Sequence, residues 1–154
     1  MDWTYPPEAE TFRVEVRAWL DANVPDDLRG VGIYDVDKPG MLPRLREWNA
    51  TLADAGYAAL AWPVEYGGRD AGALDQVVLA EELSRADAPT TLNPIGLSNI
   101  APAILAYGTD EQKQRFLRPM LRADDIWCQG FSEPDAGSDL ASLRTSAVRD
   151  GDDF

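Results

Sequence analysis

The 154-residue chain carries 14 Lys plus Arg against 27 Asp plus Glu, a net charge of −13, and a field of that sign repels nucleic-acid phosphate and anionic membranes. Hydrophobic residues make up 45% and charged residues 27%, the composition of an ordinary globular domain. Histidine is absent and Cys128 is the sole cysteine, which excludes a Ser-His-Asp triad, a Cys-His pair, a histidine metal site and an internal disulfide.

Pro6 and Pro7 suit the entry of a first helix, whose face is Phe12, Val16, Trp19 and Leu20 and which Pro25 closes. Residues 23–40, with Gly30, Gly32, Pro39 and Gly40, read as an irregular connection. Leu42, Leu45, Trp48, Leu52 and Ala55 predict a second amphipathic helix stopped by Gly56. AWPVEYGGRDAG at 61–72 is too rich in Gly and Pro for regular structure. A third helix is expected over 73–86 on the stripe Leu74, Val77 and Val78, although the next position on it is Glu81. The fourth, at 95–107, is largely apolar, interrupted by Pro102 and stopped by Gly108, and suits an interior or a subunit interface. Thr109 and Gln112 form a capping box that opens the fifth, with Asp110 and Glu111 at its positive dipole end and Phe116, Leu117 and Met120 as its buried face. Beyond Asp125, IWCQGFS and LRTSAVRD read as strands, DGDD as a hairpin turn, and Phe154 as the opening of a further strand.

Several motifs fail. Gly30-x-Gly32 lacks the third glycine and preceding strand of a dinucleotide fingerprint. Asp35-x-Asp37 starts like a calcium loop, but Pro39 and Arg46 occupy ligand positions. Gly96-x-Ser98 has no second glycine and no histidine base for a nucleophile elbow. The acid pairs Glu81–Glu82 and Asp124–Asp125 read as solvated faces or caps. No run approaches the roughly 20 apolar residues of a membrane span. MDWTYPPEAE lacks the basic and apolar regions of a signal peptide, and with one cysteine the expected compartment is the cytoplasm.

The informative stretch is QGFSEPDAGSDLASLRTSAVRDGD, residues 129–152. Pro134 fixes φ, Ala136 and Gly137 leave backbone uncovered, and Ser138 adds a hydroxyl, the ingredients of an anion-binding nest. The same residues make ordinary turns. An anion site here must use backbone donors and Ser138, with Glu133, Asp135 and Asp139 turned outward or bonded to the loop's own N–H groups.

GFSEPDAGSDLASLRTSAVRDGDDF resembles the signature of the flavin-dependent acyl-CoA dehydrogenases, with its T/S-E-P-x-A-G-S-D core. WPVEYGG at 62–68, AEELSRADAP at 80–89 and PAILAYGTDEQKQRFLRPMLRAD at 102–124 look like further family segments in the right order, so the resemblance runs from about residue 8 onward. Asp135 stands where the commonest form has glycine, and Gln129 where several relatives have an aromatic residue.

The resemblance implies a mainly α fold, with a five-helix N-terminal domain at 1–124 and the first strands of an incomplete middle β-domain at 125–154. It implies FAD as cofactor and α,β-desaturation of an acyl-CoA thioester, with hydrogen bonds to the thioester carbonyl stabilising the developing enolate. The flavin wall would comprise Gln129, Gly130, Phe131, Ser132, Gly137 and Ser138, with Ser132 at the pyrimidine edge of the isoalloxazine, Gly137 and Ser138 near the pyrophosphate, and Ser138 also touching acyl-CoA. No catalytic base or metal ligand is assigned, because the family's glutamate lies in the C-terminal helical domain. Electron-transfer flavoprotein as acceptor and a homo- or hetero-oligomer, a tetramer in the family, are implied partners. The chain is thus expected to be the inactive N-terminal part of a longer enzyme; a subunit of a split flavoenzyme and a non-catalytic helical module are the alternatives. Acyl-CoA oxidases and nitroalkane oxidases share the scaffold.

Overall fold

A computed structural model describes residues 4–153. The described residues fold into five α-helices: α1 (Pro7–Asn23), α2 (Met41–Asp54), α3 (Ala73–Arg85), α4 (Ala101–Tyr107) and α5 (Asp110–Leu121). Pro7 opens α1 with Glu8 and Glu10 in its first turn, where the helix dipole favours acids. Gly40 in the left-handed conformation (φ 77°) leads into α2, and Gly56 (φ 76°) turns the chain out of it. The Thr109 hydroxyl accepts the Gln112 N–H at 3.3 Å and the Gln112 side chain accepts the Thr109 N–H at 2.9 Å, the expected capping box. α4 is preceded by a wider π-type turn, Gly96–Ile100, placed where Pro102 has no N–H to continue an α ladder backwards.

One apolar core joins α1, α2, α3 and α5, with Val16, Leu20, Trp48, Leu52, Leu117 and Met120 fully buried. The Trp19 ring lies 5.8 Å from Trp48 and 4.9 Å from Tyr57, and the Trp48 indole N–H donates to the Pro89 carbonyl at 2.8 Å. The 62–68 loop is fastened by Arg69, which stacks 4.2 Å above the Tyr57 ring, donates twice to the Ala55 carbonyl, and reaches Glu15 at 2.6 Å. A Cβ on Gly68 would stand 2.0 Å from the Trp62 carbonyl oxygen, so only glycine fits there.

The structure corrects two expectations. The buried face of α3 is Val78, Leu79 and Glu82, while Leu74 and Val77 are exposed. Glu82 is not a solvated acid: it is 1% exposed and accepts from Arg17 (2.7 and 2.9 Å), Arg85 (2.6 Å) and Arg13 (3.2 Å). These guanidiniums replace the water a carboxylate loses on burial, and the α1–α3 seam is built around them. α4 buries Ala101 but leaves Pro102, Ala103, Ala106 and Tyr107 exposed, so its apolar surface is only half covered within this chain. Second, the segments expected as strands form no ladder. Among the described residues only the isolated bridges Glu133–Ala136 and Asp150–Asp153 occur, because neither segment has a neighbouring strand to pair with. The Asp150–Asp153 turn is closed in both directions (2.9 and 3.1 Å) around Gly151 at φ 65°. Phe154 lies outside the described residues. No helix among those residues is long and apolar enough to cross a membrane.

Candidate functional site

The site segment begins where α5 ends. Ala123, fully buried, takes a left-handed φ of 59°, a conformation that costs a non-glycine residue about 1 kcal/mol or more unless its surroundings impose it. They do so here. The Asp124 and Asp125 N–H groups both return to the Pro119 carbonyl (3.0 and 3.2 Å). Asn93, 1% exposed, donates to the Met120 and Asp125 carbonyls at 3.0 Å each and accepts the Trp127 N–H at 3.0 Å. The Trp127 ring stands edge-on to Phe116, 5.5 Å between centroids.

From Cys128 the chain leaves the helical body. Gln129, Gly130, Phe131 and Ser132 lie on an exposed arm, with Phe131 68% exposed and nothing within 4 Å of where a Gly130 Cβ would stand. Glu133–Ala136 then closes a tight turn with reciprocal backbone bonds of 2.8 and 3.2 Å, and Ala136 is buried within it. The turn brings the Ser132 hydroxyl beside Gly137, 3.9 Å from the position a Gly137 Cβ would take. Gln129, Gly130 and Phe131 are not drawn into this cluster.

Glu133 keeps the loop closed. Its carboxylate accepts the N–H of Arg144 (2.9 Å), the N–H of Thr145 (2.6 Å) and the Thr145 hydroxyl. Hydrogen bonds from Thr145 and from the Arg144 backbone hold its carboxyl below the usual carboxylate range. The Ser142 hydroxyl donates to the Asp139 and Asp135 carbonyls at 2.9 and 3.3 Å. By contrast, the backbone N–H groups of Gly137, Ser138 and Asp139, and the hydroxyls of Ser132 and Ser138, bond to no described residue. Free donors beside a carboxylate already engaged by the loop's own N–H groups are the donor set an anionic or carbonyl-rich ligand requires. The Glu133 clasp is one of the two arrangements expected for the loop's acids; Asn93 was not singled out from sequence, and its only signal there is one amide amid Leu92, Pro94 and Ile95.

A larger cleft of about 870 Å³ lies elsewhere, between the end of α2, the 65–69 loop and α5. None of the six expected residues lines it, and its Arg69 and Arg122 are taken up by Glu15 and Asp54. No group of three or more acids or cysteines is placed to hold a metal ion among the described residues.

Residues 6–124 match the family model described as acyl-CoA dehydrogenase, N-terminal domain. The chain is 44% identical to acyl-CoA dehydrogenase IpdE1 of Mycolicibacterium smegmatis over 94% of its own length and 38% of the relative's. It is 41% identical to acyl-CoA dehydrogenase FadE26 of Mycobacterium tuberculosis, covering 98% of this chain and 37% of that one. Among solved structures it resembles the ChsE4-ChsE5 complex of Mycobacterium tuberculosis (TM-score 0.75, 39% identity, 99% of this chain and 37% of that one). It also resembles the Tcur3481-Tcur3483 steroid ACAD (TM-score 0.76, 38% identity, 99% and 38%). The chain therefore spans under two fifths of the length of the relatives it matches.

Proposed function

The chain belongs to the acyl-CoA dehydrogenase family, and on that premise we propose that it supplies the N-terminal wall of an FAD and acyl-CoA site for α,β-desaturation of a thioester. What carries the proposal is the pair of free donor sets at Ser132 and Gly137–Ser138, held together by the 133–136 turn and flanked by a carboxylate the loop itself has satisfied. When bound, the flavin supplies the hydride acceptor. The residues of this chain bind and orient: Ser132 offers a hydroxyl to the ring's polar edge, Gly137 and Ser138 offer backbone and hydroxyl donors to phosphate, and Ser138 also reaches acyl-CoA. Gln129, Gly130 and Phe131 give the exposed arm that borders the ring. Donors fixed in advance lose little on binding, which is how a rigid wall raises affinity.

The domain division at residue 124, the catalytic role of groups outside this chain, and an electron-transfer flavoprotein as acceptor belong to the same proposal. The exposed half of α4, with Tyr107 90% exposed, and the apolar side chains Phe131, Leu140, Leu143 and Val148 are the surfaces offered to further domains or to a partner subunit. Similarity to a complex and to a protein described as a steroid ACAD favours a hetero-oligomer and a bulky acyl group.

The test is a hybrid in which residues 1–154 replace the matching part of the Mycolicibacterium smegmatis relative. The hybrid should purify with bound FAD and bleach anaerobically on adding a suitable acyl-CoA, octanoyl-CoA and a steroid side-chain acyl-CoA being the two probes. Ser138→Ala should weaken FAD or acyl-CoA binding by one hydrogen bond to a charged group, roughly 1.5–3 kcal/mol. A folded hybrid that holds no flavin, or a Ser138→Ala variant with unchanged affinity for both ligands, overturns the proposal.

A further inference from the structure

Resting on that reading, we infer that Asn93 is a positioning residue: it sets where the 128–138 segment leaves the helical body, and so where the donors at Ser132, Gly137 and Ser138 stand. Asn93 uses both ends of its amide. Two carbonyls, of Met120 and Asp125, and one N–H, of Trp127, surround it at 3.0 Å each, and only one orientation of the amide satisfies all three. The residue is 1% exposed, and its bond to the Met120 carbonyl is closed to water, so that acceptor is left without a partner if the amide is removed.

The bonds lie on both sides of the left-handed Ala123 (φ 59°). Met120 precedes it, and Asp125 and Trp127 follow. Asn93 therefore spans the strained corner and fixes the direction in which the chain departs, while the Phe116–Trp127 ring contact fixes it only at one edge. Beyond Trp127 every residue up to Ser132 is exposed, so nothing downstream corrects an error made at the corner.

Asn93 is itself located from the other side. A Cβ on Gly96 would come within 2.6 Å of the Asn93 Oδ1 and 2.7 Å of its Nδ2, so the first residue of the π-type turn is glycine because the amide occupies that space. The turn before α4 and the departure of the donor segment thus meet at one side chain. Asn49 provides an internal control: it is equally buried and bonds the Leu121 carbonyl (2.8 Å) and the Leu92 N–H (2.9 Å), but makes no hydrogen bond to a described residue after Ala123.

The experiment is amide hydrogen exchange on the 154-residue chain as such, with Asn93→Ala, Gly96→Ala and Asn49→Ala. Asn93→Ala should speed exchange at Trp127 by about tenfold or more relative to amides of α1 and α3, the effect expected when its N–H loses its acceptor at a locally opening site. Gly96→Ala should do the same by displacing the amide without removing it. Asn49→Ala should lower protection across the α2–α5 contact while leaving Trp127 no faster than its neighbours. Protection at Trp127 that survives both Asn93→Ala and Gly96→Ala, or that Asn49→Ala removes equally, overturns the inference. In the hybrid enzyme, Asn93→Ala should raise the dissociation constant for FAD by roughly fivefold or more while Asn49→Ala at equal thermal stability does not. Equal FAD affinities in the two variants also overturn it. If the unsubstituted hybrid binds no FAD, the functional reading fails, and the exchange measurement still decides whether Asn93 holds the corner.

Discussion

Glu82 and Glu133 are the same side chain set to opposite tasks. Each carboxylate is surrounded by donors, yet those of Glu82 come mostly from 65 and 69 residues away on another helix, and those of Glu133 from 11 and 12 residues along the same loop. Glu82 is 1% exposed and stays an anion when buried only because α1 brings Arg13 and Arg17 to it. Glu133 shapes a segment that can form its bonds with no help from the helices. The first kind of network records the fold; the second pre-forms a loop without tying it to anything. A donor-bearing wall built the second way keeps its internal shape while its placement is left to the few contacts at residues 93–127.

The largest expected effect sharpens that contrast. Glu82→Ala should destabilise the helical body by about 2–4 kcal/mol, because the α1–α3 seam loses its shared buried acceptor although Arg13 keeps Glu10 and Glu81 and Arg85 keeps Asp21, and denaturant unfolding followed by circular dichroism measures it. The same site sets the acid limit. Hydrogen bonds from Arg17, opposed by burial and reinforced by Arg85 and Arg13, bring the Glu82 carboxyl down to about 2. A carboxyl held low stabilises the native state above its unfolded value, about 4.3, and that contribution is lost as pH falls toward about 2. Helix signal should therefore decline across that window, and Glu82→Gln should flatten the slope there. An unchanged slope would show that the seam is not what acid attacks.

Next in size is a pair of glycine substitutions. Gly68→Ala drives a Cβ to 2.0 Å from the Trp62 carbonyl, whereas a Cβ at Gly130 meets nothing within 4 Å. The first should cost about 1–3 kcal/mol and the second less than about 0.5 kcal/mol. Comparable costs, read from thermal melts of the two variants, would mean that the 129–132 arm is packed and that the body and arm do not differ as described.

How far the sequence carries follows the same division. Local signals were legible: the Thr109–Gln112 box, the prolines at the start of α1, and Gly56 as a stop all act within four residues, and all stand in the structure. Pairings between distant segments were not. Glu82 looked like one of two solvated acids because nothing in the α3 stripe reveals that Arg13 and Arg17 on α1 face it. The β-branched and aromatic content of IWCQGFS registers a liking for sheet, but a ladder needs a partner strand, which the described residues do not provide. In the candidate site, the Glu133 clasp follows from the requirement that the acids of an anion loop be satisfied by its own N–H groups. Asn93 does not, since its three partners lie 27, 32 and 34 residues away.

The smallest effect is the most discriminating. Glu133→Gln keeps one acceptor oxygen but turns an NH2 group toward the N–H donors of Arg144 and Thr145. If the clasp serves only its own loop, unfolding of the helices should stay within about 0.5 kcal/mol of the unsubstituted chain. Exchange at amides 144 and 145 should nevertheless quicken while Trp127, held by Asn93, stays protected. Acid should mimic the substitution: the Glu133 carboxyl is held low chiefly by Thr145, so its bonds outlast those of an unperturbed carboxylate as pH falls and are lost at more acid pH. Glu82 titrates in the same direction, and the two are separated by where the loss is felt, across α1 and α3 for one and within 133–145 for the other. A Glu133→Gln variant that loosened Trp127 or lowered the helical transition would tie the loop to the body, and the donor segment would then be placed by its own clasp as much as by the corner at Ala123.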